Sequence, residues 1–328
     1  MNKVYRKNIF LLYIPLIILM IISLLNMKNI VLLDSTLTKN FSKQIIWYVS
    51  GILLLLIIQK TNSKKILKYS FWYYLISLFL LGLVLIIGKE INGAKAWFKI
   101  GNFSFQPSEL TKFTLTLYLA DVIQKANING FKSELRLILK VLIITLLPSI
   151  LVFIEPDTGA IIFYLLIAAS MLFISGIKKW WFILLFLLLG SILFTFIILY
   201  IYNRDFLIDL IGTSFFYRVE RLITFHTESS YQLENALTVI GSASLWGTGL
   251  GKVSLYIPEA ATDFIFAFTI GNFGIVTGFT VLLCYFLIDL YLILAYFQTT
   301  NKKIKLFLIS FISIFFFQQI INIGMNLG

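Results

Sequence analysis

"WWFILLFLLLGSILFTFIILY", residues 180–200, contains no charged side chain and no proline. As a helix rising about 1.5 Å per residue it is roughly 30 Å long, the depth of a bilayer's hydrocarbon core. "IFLLYIPLIILMIISLL" at 9–25 is likewise uncharged, though it carries Pro15, and is nearly as long. Across 328 residues, 59% are hydrophobic and 13% charged, where soluble domains carry roughly a quarter charged residues. The residue-by-residue alternation of a membrane barrel is absent. The expectation is an all-α polytopic membrane protein with about nine spans, near 9–27, 45–59, 69–88, 109–124, 137–154, 159–176, 181–202, 263–296 and 306–325. The first span is too long, and its outer flank too bulky, for a cleaved signal peptide, so it reads as retained. The single cysteine, Cys284, excludes an intrachain disulfide, and with one histidine, His226, a zinc site of the usual ligands is disfavoured.

The net charge is +12. In a membrane protein, basic loops set topology and touch anionic lipid; no soluble basic face for nucleic acid is visible. With the amino end inside, most of the 27 lysines and arginines fall in cytoplasmic segments, at Lys60–Lys68, Lys125–Lys140, Lys178–Lys179 and Lys302–Lys305 among others. Three segments then face outward: 89–108, the short "EPDTGA" at 155–160, and 203–262, too long for a simple connector. Within the last, "FYRVERLITF" reads as an amphipathic surface helix bearing Arg218, Glu220 and Arg221.

Ionisable groups at membrane depth are costly and need a reason. Glu109 and Lys112, three apart after Pro107 and Ser108 in "QPSELTKF", share a helical face; a local ion pair is the plain alternative to a function. Asp157 in "EPDTGA" and Asp263 in "EAATDFIFAF" stand where helix caps stand, although Thr262 could cap in place of Asp263. The glycine-rich "GSASLWGTGLGK" at 241–252 is not a phosphate loop: Trp246 stands where glycine is needed and Val253 where serine or threonine is. A tight turn that lets backbone pack closely is its simpler meaning, and Trp97 and Trp246 can serve as interfacial anchors. All these blocks map to one side of the membrane. Together they would offer two carboxylates, a lysine, arginines and open backbone to an anionic, lipid-linked substrate, with the carboxylates taking a proton or a divalent cation such as Mg²⁺ or Mn²⁺.

Read in order, "NGAKAWFKIGNFSFQPSELTK", "EPDTGA", "YQLENALTVIGSASLWGTGLGK", "PEAATDFIFA" and "NIGMN" resemble the SEDS family of bacterial cell-wall proteins, the RodA/FtsW/SpoVE group, over nearly the whole chain. The amino tail and "GKEINGAKAWFKI" look most like the RodA branch. The resemblance implies a single transmembrane domain that polymerises lipid II into peptidoglycan strands on the outer face of the cytoplasmic membrane during elongation or division. It also implies a class B penicillin-binding protein transpeptidase as partner. It makes Asp263 the catalytic carboxylate, Asp157 the second acid of the cavity, Trp97 a sensitive tryptophan of the first outer loop, and Glu109 and Lys112 a polar pair. Arg218 and Arg221 would support the substrate, and Asp157 with Asp263 would hold a metal. Two departures stand out. Ala261 occupies a position where many relatives have histidine, and the chain ends at "NIGMNLG" where relatives continue into a tenth span, so it reads as shortened. A non-catalytic scaffold and a lipid-precursor transporter are the competing readings.

Overall fold

The computed structural model describes residues 9–33, 38–61, 63–91, 94–101, 103–213, 216, 230–252 and 255–328. In chain order the elements are α1 (Phe10–Leu33), α2 (Thr38–Lys60), α3 (Ser63–Lys68), α4 (Ser70–Ile87), β1 (Lys89–Ile91), β2 (Ala94–Ile100), β3 (Phe103–Phe105), α5 (Pro107–Gln124), α6 (Phe131–Ile154) and α7 (Thr158–Ser175). They continue with α8 (Trp180–Tyr202), α9 (Arg204–Ile211), α10 (Ser230–Ser242), α11 (Ile265–Gln298) and α12 (Lys302–Leu327).

Eight of these helices, α1, α2, α4, α6, α7, α8, α11 and α12, are long and apolar enough to cross a membrane. The ninth expected span, 109–124, forms α5 but is not among the eight. The reason is its position: α4, α6, α7 and α12 all pack on it. A helix surrounded by protein can carry polar groups that a helix facing hydrocarbon cannot, and α5 buries Ser108, Thr111, Lys112, Thr114 and Thr116. Ser77 of α4 meets Thr114 of α5 at 2.7 Å, Oγ to Oγ1. Around α5 the main apolar core gathers Leu81, Leu115, Val141, Tyr164, Met171 and Leu306. At the other extreme, α2 and α8 bury no residue at all, as suits helices whose surroundings are lipid tails.

Two features depart from a simple helical bundle. The segment after α4 is a three-stranded antiparallel sheet in the order β1-β2-β3, with Trp97 opposite Lys89 and Phe98 opposite Phe105. Asn92-Gly93, between β1 and β2, is the commonest two-residue hairpin signal, and Ala96 turns into the protein, fully buried. The expected span at 263–296 is also not one continuous helix, for α11 is interrupted at Gly274 (φ 83°, ψ 170°).

Candidate active site

Asp157 ties three elements together. Its Oδ2 accepts from Gln106 Nε2 at 2.7 Å and Ser108 Oγ at 3.1 Å, both at the start of α5. Its Oδ1 accepts from the backbone N–H of Ala160 at 3.4 Å, capping α7. The capping role is thus real, but the stronger bonds reach 51 and 49 residues back to α5. Tyr164 of α7 reinforces the joint by donating to the Ser108 carbonyl at 2.9 Å. One turn into α5, Lys112 Nζ pairs with Glu109 at 2.8 Å and lies 4.6 Å from the ring centre of Phe163. The lysine side chain is 8% exposed and the glutamate 57%, so the cation is held inside while its counter-charge faces the open end.

Beside Asp157 sits Glu155, which the sequence reading passed over. It is fully buried, and neither carboxylate oxygen has a hydrogen-bond partner among the described residues. Burial, with the Asp157 charge adding to it, pushes its pKa up to about 8. A polar group left this way is costly as an anion, so Glu155 is mostly protonated at neutral pH.

Asp263 lies in the turn that precedes α11 and is exposed. It does not cap the helix, and neither does Thr262, whose hydroxyl donates to Glu259. Asn326 of α12 does that work across the bundle. Its Oδ1 accepts from the Ala267 N–H at 2.9 Å and its Nδ2 donates to the Asp263 carbonyl at 2.8 Å. The Asp263 carboxylate is free of that duty. The protein packed around it, and then the Glu259 charge, raise its pKa. Glu259 itself sits at φ 51°, in the left-handed region that non-glycine residues seldom occupy, within a turn whose carbonyl accepts from the N–H groups of Thr262 and Phe264.

The glycine-rich segment closes the arrangement. Thr248 N–H donates to the Gly271 carbonyl and Gly249 N–H to that of Asn272, while Ile275 and Val276 N–H groups donate to Ser244 and Leu245. The loop therefore supplies partners for backbone that the break in α11 leaves unpaired, as buried amides require. A Cβ on Gly247 would meet the Asn272 and Gly274 backbone, and one on Gly274 would meet Leu245.

These loops share one end of the bundle. Lys303, at the start of α12, donates to Asp121 near the end of α5 at 2.6 Å. The two helices are therefore antiparallel, and the far end of α12, with Asn326 and Asp263, lies toward the end where Gln106, Lys112 and Asp157 begin α5. Trp97 joins this end on β2, which packs against α4 and α5. Each aspartate has a glutamate neighbour of its own, Glu155 for Asp157 and Glu259 for Asp263; the carboxylate perturbing Asp263 is Glu259. Arg218, Arg221 and the surface helix expected around them lie outside the described residues, as does His226. Among the described residues no cluster of three or more His, Cys, Asp or Glu could enclose a metal. The Asp157 oxygens already accept three hydrogen bonds, while Glu259 accepts one from Thr262 and lies near enough to Asp263 for its charge to be felt there.

The family model described as a cell cycle protein, covering FtsW, RodA and SpoVE, matches residues 5–328. A protein of Wigglesworthia glossinidia brevipalpis named probable peptidoglycan glycosyltransferase FtsW is 34% identical over 255 residues, 75% of this chain and 63% of that one. This chain therefore spans somewhat less than two thirds of that relative. The Coxiella burnetii protein of the same name is 30% identical over 302 residues, covering 88% and 77%. Among solved structures, the rod shape determining protein RodA of Thermus thermophilus superposes with a TM-score of 0.64 at 25% identity, covering 96% of this chain and 84% of that one. A chain from a peptidoglycan synthase complex that coordinates polymerization and crosslinking superposes with a TM-score of 0.76 at 23% identity, covering 96% and 87%. Matched from end to end in sequence and in fold, the chain belongs to the FtsW/RodA/SpoVE family.

Proposed function

We propose that this chain is a peptidoglycan glycosyltransferase that polymerises lipid II, working from the outer face of the bacterial cytoplasmic membrane. The observation that carries this reading is the meeting, at one end of a membrane-spanning bundle, of an inward-held lysine and two acidic loops, one of them presenting an exposed carboxylate. The names of the relatives support the same reaction class. The acceptor sugar hydroxyl attacks the anomeric carbon of the donor. The carbon–oxygen bond to the diphosphate breaks, the diphosphate leaves on its lipid, and the hydroxyl proton passes to Asp263. A carboxylate with a raised pKa is the better base near neutral pH. Direct displacement inverts the anomeric centre and gives a β-linkage.

Lys112 neutralises the leaving diphosphate once substrate phosphate competes with Glu109 for it, and Arg218 and Arg221 add positive charge from the long loop. Asp157 is a positioning residue: it fixes the start of α5, and with it Lys112. Trp97 on the sheet forms the wall against which sugar or lipid packs. A divalent cation, Mg²⁺ or Mn²⁺, would be held by Asp263 and Glu259 and would supply further charge neutralisation at the diphosphate. A class B penicillin-binding protein is the fitting partner, since the solved relative belongs to a complex that both polymerises and crosslinks.

The test is polymerisation of labelled lipid II by matched amounts of purified variants, with the transpeptidase present and a β-lactam blocking crosslinking. Asp263→Asn is nearly isosteric and leaves the Asn326 bonds intact, because those go to backbone. We expect product to fall by roughly 10²-fold or more. Near-normal product would remove Asp263 from the mechanism.

A further inference from the structure

We infer that the end of the bundle remote from the carboxylates carries a groove for one anionic phospholipid of the adjacent leaflet. Two cavities adjoin there. One, of about 450 Å³, opens between the start of α4, the end of α5 and the start of α6, and is lined by Tyr118, Lys125, Arg136 and Lys140 among others. The second, of about 690 Å³, shares Tyr118, Arg136 and Lys140 and continues along α6 past Leu139, Ile143 and Ile144. Shared walls make them one groove, basic at its mouth and apolar along its length.

The charge in the mouth is not cancelled from within. The one acid lining it among the described residues, Asp121, is already taken by Lys303 and Lys125, each at 2.6 Å. Arg136 and Lys140, one helical turn apart with Lys132 a turn further out, lie on one face of α6 and have no ion pair among the described residues. A phosphodiester between Arg136 and Lys140 would meet two cations at once. A zwitterionic headgroup would bring an ammonium into the same place.

The apolar arm decides between a lipid and a soluble anion. From Arg136 to Ile143 the helix climbs about 10 Å into the apolar part of α6, where Leu139 and Ile143 are exposed. That depth lies inside the hydrocarbon of a membrane these helices cross. An acyl chain gains there by covering Leu139 and Ile143; free phosphate or an acidic peptide gains nothing. The groove is thus shaped for a headgroup and a tail together, at a site separate from the one proposed for catalysis.

The full chain in mild detergent is titrated with phosphatidylglycerol or with phosphatidylcholine of the same acyl chains, and bound lipid is counted by native mass spectrometry. Parallel samples carry the double variant Arg136→Gln/Lys140→Gln. Others carry Lys178→Gln/Lys179→Gln, which removes the same charge from exposed positions outside the groove. We expect one phosphatidylglycerol retained by the parent and by the Lys178/Lys179 variant, and retention about 10- to 30-fold weaker in the Arg136/Lys140 variant, as two interfacial basic residues imply. Equal loss in both variants would reduce the effect to diffuse charge. Equal retention of phosphatidylcholine, or displacement by soluble glycerophosphate or an acidic peptide, would also overturn the assignment.

Discussion

Glu155 shows what a single residue can hide from a sequence. In "EPDTGA" the aspartate draws attention because aspartate caps helices, and Asp157 does cap α7. Nothing in the string says that its neighbour two places earlier is sealed from water. The consequence is a pH dependence with a definite sign. The folded chain holds a proton on Glu155 up to about pH 8, while the unfolded chain loses it in the ordinary carboxylate range. Between those limits the folded state binds more protons, so stability falls as pH rises. Glu155→Gln keeps the shape and abolishes the ionisation. Thermal unfolding of the purified protein should therefore show the parent losing on the order of 1–3 kcal/mol relative to Glu155→Gln between pH 6 and pH 9. Parallel curves would mean that the carboxylate is ionised and partnered after all. Asn326 escaped notice for a related reason. Its partners Ala267 and Asp263 are 59 and 63 residues away, and no local pattern announces a cap supplied from another helix.

At the scale of elements, the joint between the glycine-rich loop and the break in α11 gives the sharpest energetic contrast. Gly247, Gly249 and Gly251 all have positive φ, but only Gly247 has backbone where a Cβ would go; the other two face open space. Gly249→Ala should cost only the strain of its conformation, about 1–2 kcal/mol. Gly247→Ala must also push the loop off Asn272 and Gly274, and we expect it to cost at least about 2 kcal/mol more and to lower the unfolding temperature accordingly. Equal effects would show that the loop does not seat in the break. The sequence offered close backbone packing here as the simpler meaning of a glycine-rich turn, and Gly247 is where it applies. It did not indicate the break itself, since the apolar run of 263–296 has no proline, and Gly271, Gly274 and Gly278 are each of a kind tolerated in helices, with nothing to single out Gly274. The sheet of 89–105 was legible in principle, from Asn92-Gly93 and the alternation of "AKAWFKI", but its strands are as short as three residues and fall between two dominant membrane runs.

For the whole molecule, composition was enough to give a helical bundle because hydrocarbon leaves the backbone few alternatives. The least apolar of the expected spans, α5, is the exception in character, since a helix at the centre of the bundle is solvated by protein and follows the rules of a soluble core. The polarity of the molecule rests on the same physics. Lys125, Lys178 and Lys303 gather at one end of the bundle and Asp157 and Asp263 at the other, and the proposed orientation, with the lysine-bearing end in the cytoplasm, follows from the excess of basic residues in cytoplasmic loops of membrane proteins. Cysteine labelling in intact cells, in a Cys284→Ser background, tests that orientation. A cysteine replacing Lys95 on β2 should react with a membrane-impermeant maleimide added outside, and one replacing Lys178 should react only after the membrane is opened. Both positions need accessible side chains. Lys178 is exposed, and Lys95 reaches the Ile86 carbonyl near the end of α4 at 3.0 Å from the rim of the sheet. The reverse pattern would place Asp263 and Lys112 on the cytoplasmic side, away from any outer-face substrate, and the proposed polymerase reaction would have to be given up.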